Sequence, residues 1–203
     1  QAQGIDVGFL VGGVSDSFKN SARLGTSDFF VIEADEYDSA FFDKRSKFIH
    51  YSPSNLIINN IEFDHADIFD DIEDIKRQFN HLIRIIPKKG NVIYFQDDIN
   101  SVEVIKNGLW CQEIPINSDS IKINFKLMQL IVDEEEYSIK DLPLIGEHNF
   151  RNYISAILAA RLDGIEINDS IKSLKTFKGV LRRMDLVAEL SKISIYDDFA
   201  HHP

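Results

Sequence analysis

Three short runs, Phe29-Phe-Val-Ile32, Leu56-Ile-Ile58 and Val92-Ile-Tyr-Phe95, are apolar at every position and bounded by polar residues. A run with no polar alternation has no solvent face, so each reads as a strand buried on both sides, as in a parallel sheet covered by helices. Gly8-Phe-Leu-Val-Gly-Gly-Val14 reads as a further strand closing on a glycine turn. Between the second and third runs a helix is predicted from Asp70, because Ile72, Ile75, Phe79, Leu82, Ile83 and Ile86 share one face and Pro87 and Gly90 stop it. A second helix is expected over 149–162, with Ile154, Ile157, Leu158 and Arg161 spaced helically and Gly164 as its stop. A shorter helix is expected over 169–177. Strands alternating with amphipathic helices give the fold class: α/β, a mostly parallel sheet flanked by helices.

Residues 109–145 break this pattern. Trp110, Ile114, Ile116, Ile121, Ile123, Phe125, Leu127, Leu130 and Val132 fall in short alternating stretches separated by turn residues. These predict additional antiparallel strands, either at the sheet edge or as a small subdomain. Two more alternating strands, 185–190 and 193–196, follow around Ser191-Lys192.

Composition excludes several functions. The 203 residues, 44% hydrophobic, suffice for a domain with its own core. With 33 Asp and Glu against 22 Lys and Arg, the net charge of −11 argues against nucleic acid and anionic membranes as partners. Cys111 is the single cysteine, which excludes an intrachain disulfide and a cysteine-built zinc cage. No apolar run approaches the ~20 residues of a membrane span, and no leader-like segment opens the chain, so a cytoplasmic setting is expected. A chain that starts at Gln1 and stops after His201-His202-Pro203 is expected to be a piece of something longer.

The chemistry-bearing residues gather where strands end, the place where open α/β sheets bind ligands. One buried run is followed by Glu33, Asp35, Glu36 and Asp38, another by Glu62, Asp64, His65 and Asp67. Carboxylates with one imidazole suit a hard divalent cation such as Mg2+, although acids at strand ends are also ordinary solvated loop residues. Asn149 and Asn152, behind Gly146-Glu-His148, share a helix face and can meet the edge of a heterocycle, while Asn149 alone would serve as a helix cap. Arg182-Arg183 is a phosphate fork or a solvated basic pair. Asp197-Asp-Phe-Ala-His-His202 is a metal site or a simple loop. His50 and His81 are read as structural. There is no G-x-x-x-x-G-K-[ST] loop and no G-x-S-x-G elbow.

Taken in order, Glu33-Ala-Asp-Glu36, Asn60-Ile-Glu-Phe-Asp-His65, Gly146-Glu-His-Asn-Phe-Arg-Asn152, Gly179-Val-Leu-Arg-Arg183 and Asp197-Asp-Phe-Ala-His-His-Pro203 resemble the Mur ligases, ATP-dependent amide-forming enzymes of bacterial wall synthesis. The segments 21–51 and 59–69 look most like the branch used in wall recycling, the murein peptide ligases. That branch joins UDP-N-acetylmuramate to the tripeptide L-alanyl-γ-D-glutamyl-meso-diaminopimelate. Tyr37 and Phe63 depart from the pattern of the relative that adds L-alanine to the same nucleotide.

The resemblance implies that ATP phosphorylates the muramate carboxylate and that the tripeptide amine then displaces the phosphate. It implies Mg2+ held by Glu33 and His65, with Asn149 and Asn152 against the adenine. Arg183 would lie near the phosphates and Asp198 at the ribose or phosphate side, with His148 and His202 flanking. The carbamylated lysine of several Mur ligases would fall near Phe79, and the resemblance to the recycling branch implies that this chain lacks that modification. Residues 1–183 are then expected to be the central ATP-binding domain without its phosphate loop, and 184–203 the first strands of a truncated C-terminal domain. On that expectation the isolated chain is inactive. The alternatives are a fragment of a UDP-N-acetylmuramate–L-alanine ligase, a metal-dependent hydrolase built on the acidic strand ends, and a non-catalytic nucleotide-binding module.

Overall fold

The computed structural model describes residues 2–13, 18, 20–183 and 185–199. In chain order the first elements are β1 (Gly8–Leu10), β2 (Ala22–Arg23), β3 (Phe30–Ile32), β4 (Asp38–Ala40), β5 (Asp43–Ser46) and β6 (Asn55–Ile58). They are followed by α1 (Ile72–Arg84), β7 (Asn91–Phe95), α2 (Ile99–Lys106), β8 (Gln112–Ile116), β9 (Ile121–Asn124), β10 (Gln129–Val132) and β11 (Glu135–Ser138). The chain closes with α3 (Glu147–Leu162), α4 (Ile167–Leu174), β12 (Asp185–Leu190) and β13 (Ile193–Asp197). It divides into two units, residues 34–175 and residues 1–33 with 176–203.

The larger unit is built on the parallel sheet β6–β7–β8, in register through Ile57, Ile93 and Ile114. β7 is the central strand, and the apolar run seen in the sequence fills both of its faces. Val92 and Tyr94 join Leu56, Ile58, Ile75, Leu82, Ile83 and Val104 in one core, on the side of α1 and α2. Ile93 and Phe95 join Ile116, Leu130, Phe150, Ile154 and Ile157 in a second core, on the side of α3. Period-2 alternation along one strand therefore separates two hydrophobic layers.

α1 begins where Asp71 accepts the backbone N–H groups of Glu73 and Asp74, satisfying donors that the first turn leaves open. α2 was not expected; it is capped by Asp98, whose carboxylate accepts from Ser101 N–H and, at 3.0 Å, from Ile61 N–H. α3 starts at Glu147, two residues earlier than the spacing suggested, behind Gly146 at φ +99°.

Of the strands expected to be antiparallel, β8 is a correction: it runs parallel to β7 as the sheet's edge. Apolar alternation fixes which side of a strand is buried but not which way it runs. β9, β10 and β11 form an antiparallel sheet of their own. Its Leu130 and Val132 pack into the core shared with α3.

β6 and α3 are tied at both ends by side chains. At one end Asn55 Nδ2 donates to Asp163 Oδ1 at 3.3 Å, just past the last turn of α3. At the other, Asn59 Nδ2 donates to Asn152 Oδ1 and Ser155 Oγ donates to Asn59 Oδ1, each at 2.9 Å. The first turns of α3 are thereby held at the carboxyl end of the parallel sheet.

In the smaller unit β1 pairs parallel with β3 and antiparallel with β2, and β12 with β13 forms a hairpin. Here the structure corrects a second expectation. Phe30 and Val31 of β3 are 51% and 58% exposed instead of buried on both faces. Among the described residues this unit has no helix to pack over the strand. The unit does close tightly at Gly25, where an added Cβ would stand 2.3 Å from the Asp6 carbonyl oxygen. Among the described residues no helix is long and apolar enough to cross a membrane.

Candidate functional site

In the larger unit the chain leaves β6 at Asn59 and reaches His65 in a left-handed backbone conformation, φ +56°. The His65 carbonyl accepts the N–H groups of Ile68 and Phe69 at 2.9 and 3.1 Å, a tight turn that fixes the direction of the side chain. Its imidazole, 15% exposed, lies against the Tyr37 ring with centroids 4.1 Å apart. His65 Nε2 stands 3.0 Å from Glu36 Oε1 and 3.8 Å from Asp64 Oδ2. One ligand atom each from Glu36, Asp64 and His65 lies within 4.8 Å of the others, the group among the described residues able to hold a metal ion.

The β4–β5 hairpin holds the other side of this cluster. Ser46 Oγ donates to the Glu36 carbonyl at 2.6 Å, and Lys47 N–H donates to the Tyr37 carbonyl at 2.9 Å. Tyr37 N–H in turn donates to Asp35 Oδ1 at 2.9 Å. The Tyr37 phenol is pushed above its ordinary pKa, first by burial and then by the carboxylates of Asp67, Asp35, Asp64 and Glu36. Two carboxylates and an imidazole form a donor set that a divalent cation with water in its shell would accept.

α3 supplies a second group at the same carboxyl edge. Asn149 Nδ2 donates to the Ile145 carbonyl at 2.8 Å, and Asn152 is the residue held by Asn59. His148 is exposed beside Gly146. Between them Arg151 grips Asp97, just beyond the end of β7, through both terminal guanidinium nitrogens, and stacks over Phe95 at 4.5 Å. Glu147 lies 3.6 Å away on the same helix. Sequence reasoning did not single out Arg151 or Asn59. The signal for Arg151 was an arginine between two carboxamides, and for Asn59 a second asparagine at the strand end.

The remaining sequence-predicted residues belong to the smaller unit. The Glu33 carboxylate accepts the backbone N–H of Gly12 in the turn after β1. Arg183 is exposed after the turn at Gly179, and Asp198 is exposed beyond β13. Their neighbour Arg182 is engaged: its Nε is 3.3 Å from Asp197 Oδ2 and its guanidinium lies over the Phe199 ring. His202 lies outside the described residues. The structure thus brings His65 to Glu36 and Asp64, and sets Asn149 and Asn152 on one helix; Glu33 falls in the other unit.

Comparison with known proteins shows the family. The Mur ligase middle domain model matches residues 13–160. The UDP-N-acetylmuramate–L-alanyl-γ-D-glutamyl-meso-2,6-diaminoheptandioate ligase of Escherichia coli is 45% identical over 98% of this chain and 45% of its own length. A UDP-N-acetylmuramate–L-alanine ligase from Pelagibacter ubique is 35% identical over 98% of this chain and 45% of its own. The crystal structure of a murein peptide ligase from Psychrobacter arcticus superposes with a TM-score of 0.79 at 36% identity, covering 100% of this chain and 47% of that one. The chain therefore spans less than half the length of the curated relatives it matches, and over most of that span it carries the middle domain of the Mur ligases, the family to which it belongs.

Proposed function

We propose that the full-length protein is an ATP-dependent ligase of peptidoglycan recycling that acts in the cytoplasm. It joins UDP-N-acetylmuramate to L-alanyl-γ-D-glutamyl-meso-diaminopimelate. The observation that carries this reading is the 45% identity, across 98% of the chain, to a ligase named for that tripeptide, against 35% to one named for L-alanine. Residues 1–183 belong to the ATP-binding domain and 184–203 begin the next.

In the reaction the γ-phosphate of ATP passes to the muramate carboxylate, releasing ADP. The L-alanyl amine of the tripeptide then attacks the acyl phosphate; the C–N bond forms, phosphate leaves, and the amine gives up a proton. A bound Mg2+ would neutralise charge on the phosphate while it moves. His65 would hold that ion, and the grouping of Glu36 and Asp64 around it supports a metal there; Glu33 is assigned as a ligand on the family resemblance alone. Asn149 and Asn152 present amide donors and acceptors to the adenine edge, with His148 beside them. Arg183 offers a planar fork to phosphate, Asp198 accepts hydrogen bonds at the ribose or phosphate side, and His202 flanks it.

The test is ligation by the full-length protein with ATP, Mg2+ and UDP-N-acetylmuramate, offering the tripeptide or L-alanine. The tripeptide amide is the expected product; an L-alanine adduct alone overturns the acceptor assignment. Hydrolysis of UDP-N-acetylmuramate without nucleotide would support a metal-dependent hydrolase instead. The 203-residue chain by itself is expected to show no turnover.

A further inference from the structure

Ile61 lies beyond the end of β6, outside any strand, and is 1% exposed. Its backbone N–H and C=O therefore need partners from elsewhere. Both come from the start of α2. Asp98, the cap of that helix, accepts the Ile61 N–H at 3.0 Å, and Asn100 Nδ2 donates to the Ile61 carbonyl at 2.7 Å. Neither bond can be reversed: a carboxylate and a carbonyl only accept, so the Asn100 amide must present its NH2 group here. Asp98 is itself held by Ser101, whose N–H and hydroxyl both donate to the same oxygen. Asparagine is one of the poorer helix residues and the first turn of a helix favours acids, so α2 alone would be better served by an acid at this position. The bond to Ile61 accounts for the asparagine.

We propose that Asn100 and Asp98 are positioning residues for the metal site, holding from α2 the loop that carries Asp64 and His65. Ile61 stands four residues before His65, and Ile61 and Phe69 both pack in the core beside α1. Between these two anchors the chain must turn. The His65 carbonyl takes the N–H groups of Ile68 and Phe69, and Asp64 Oδ1 takes the His65 N–H at 2.7 Å. Where Ile61 is held therefore sets where Asp64 and His65 face Glu36. Asp98 and Asn100 act through the backbone and touch no metal in this reading. The proposal rests on the assignment of His65 to the metal and adds the residues that hold its loop in place.

The decisive variant is Asn100→Asp in the full-length protein. It is read by Mn2+ binding, followed as loss of the free-ion EPR signal, and by the Mg2+ concentration that half-saturates ATP turnover. An acid is favourable in the first turn, so α2 is retained, but a carboxylate replaces the NH2 group against the Ile61 carbonyl and repels it. We expect the Mn2+ Kd and the Mg2+ half-saturation point to rise together, roughly three- to tenfold, the range spanned by the loss of about one hydrogen bond. Asn100→Ala removes the donor without adding charge and should give a smaller rise. Asp98→Asn keeps an acceptor oxygen for the Ile61 N–H and a good helix cap, and should bind Mn2+ like the parent. On a His65→Ala background, Asn100→Asp should add less than it does in the parent, because it acts through that loop. A lower melting temperature with unchanged Mn2+ binding marks a merely structural contact and overturns the proposal, as do additive losses in the double variant. If His65→Ala itself leaves Mn2+ binding unchanged, the metal assignment fails instead, and the two failures are told apart.

Discussion

The His65 imidazole rests on the Tyr37 ring at a centroid distance of 4.1 Å, with the planes 51° apart, while its Nε2 faces Glu36. A ring held on one side by an aromatic face has little freedom to swing its nitrogen out of the carboxylate pair. Groups that orient a metal ligand contribute about 10–100-fold in metal affinity. In the full-length protein, Tyr37→Ser should therefore raise the Mg2+ concentration that half-saturates ATP turnover by about tenfold. Tyr37→Phe keeps the ring and should not. A magnesium titration of both variants decides it, and equal curves would remove Tyr37 from the site.

Arg151 holds the first turns of α3 over the end of β7 through Asp97 and the Phe95 ring. Losing a charge-assisted pair and a ring contact together should lower stability by about 2 kcal/mol in Arg151→Ala, measured by urea denaturation. Arg151→Lys should not restore it, since an ammonium cannot span both carboxylate oxygens and stack at once.

Tyr94, 5% exposed, donates its hydroxyl to Glu113 Oε2 at 2.9 Å. Burial first, and then this bond to an acid, pushes its pKa up to about 12. The unfolded phenol titrates near 10, so the folded state holds its proton more tightly. This contribution to stability is fully present below about pH 10 and is lost as pH rises toward about 12. Tyr94→Phe should be less stable at neutral pH and should lose less between about pH 10 and 12 than the parent chain. Denaturation midpoints across that range are the measurement.

Gly90 closes the turn into β7, and an added Cβ there would stand 2.3 Å from the Ser54 carbonyl oxygen and 2.6 Å from Ile86 Cγ2. The nearer atom is backbone and cannot swing aside. Gly90→Ala should cost about 1–3 kcal/mol, read as a lower urea midpoint. By contrast, the same change at Gly164 meets nothing within 4 Å and costs only the strain of φ +83°.

What the sequence made legible follows from periodicity. The stripe from Ile72 to Ile86 produced α1, and the unbroken run 92–95 became the central strand. α2 escaped because eight residues with Ile99 exposed and Val104 and Ile105 buried leave no repeating stripe; its signal was the cap at Asp98. The direction of β8 escaped because alternation carries no direction. In the site, the two acid clusters were legible as clusters. Which acid meets His65 was not, since that depends on a left-handed turn at His65 and on the β4–β5 hairpin behind Glu36. Asn152 was legible by its spacing from Asn149, whereas its partner Asn59 lies far off in sequence and meets it only through the fold.

The paired ties between β6 and α3 also set a length. Asn55 and Asn59 stand four residues apart, roughly 13 Å along a strand. Asp163 and Ser155 stand eight apart, roughly 12 Å along a helix. The two spans agree only because one element is extended and the other coiled, like two rulers of different pitch matched at both marks. A residue gained or lost between the marks on either ruler would break one tie or shift the face of β6. Relatives of this chain should therefore vary in length in the loops around this pair and hardly ever within it.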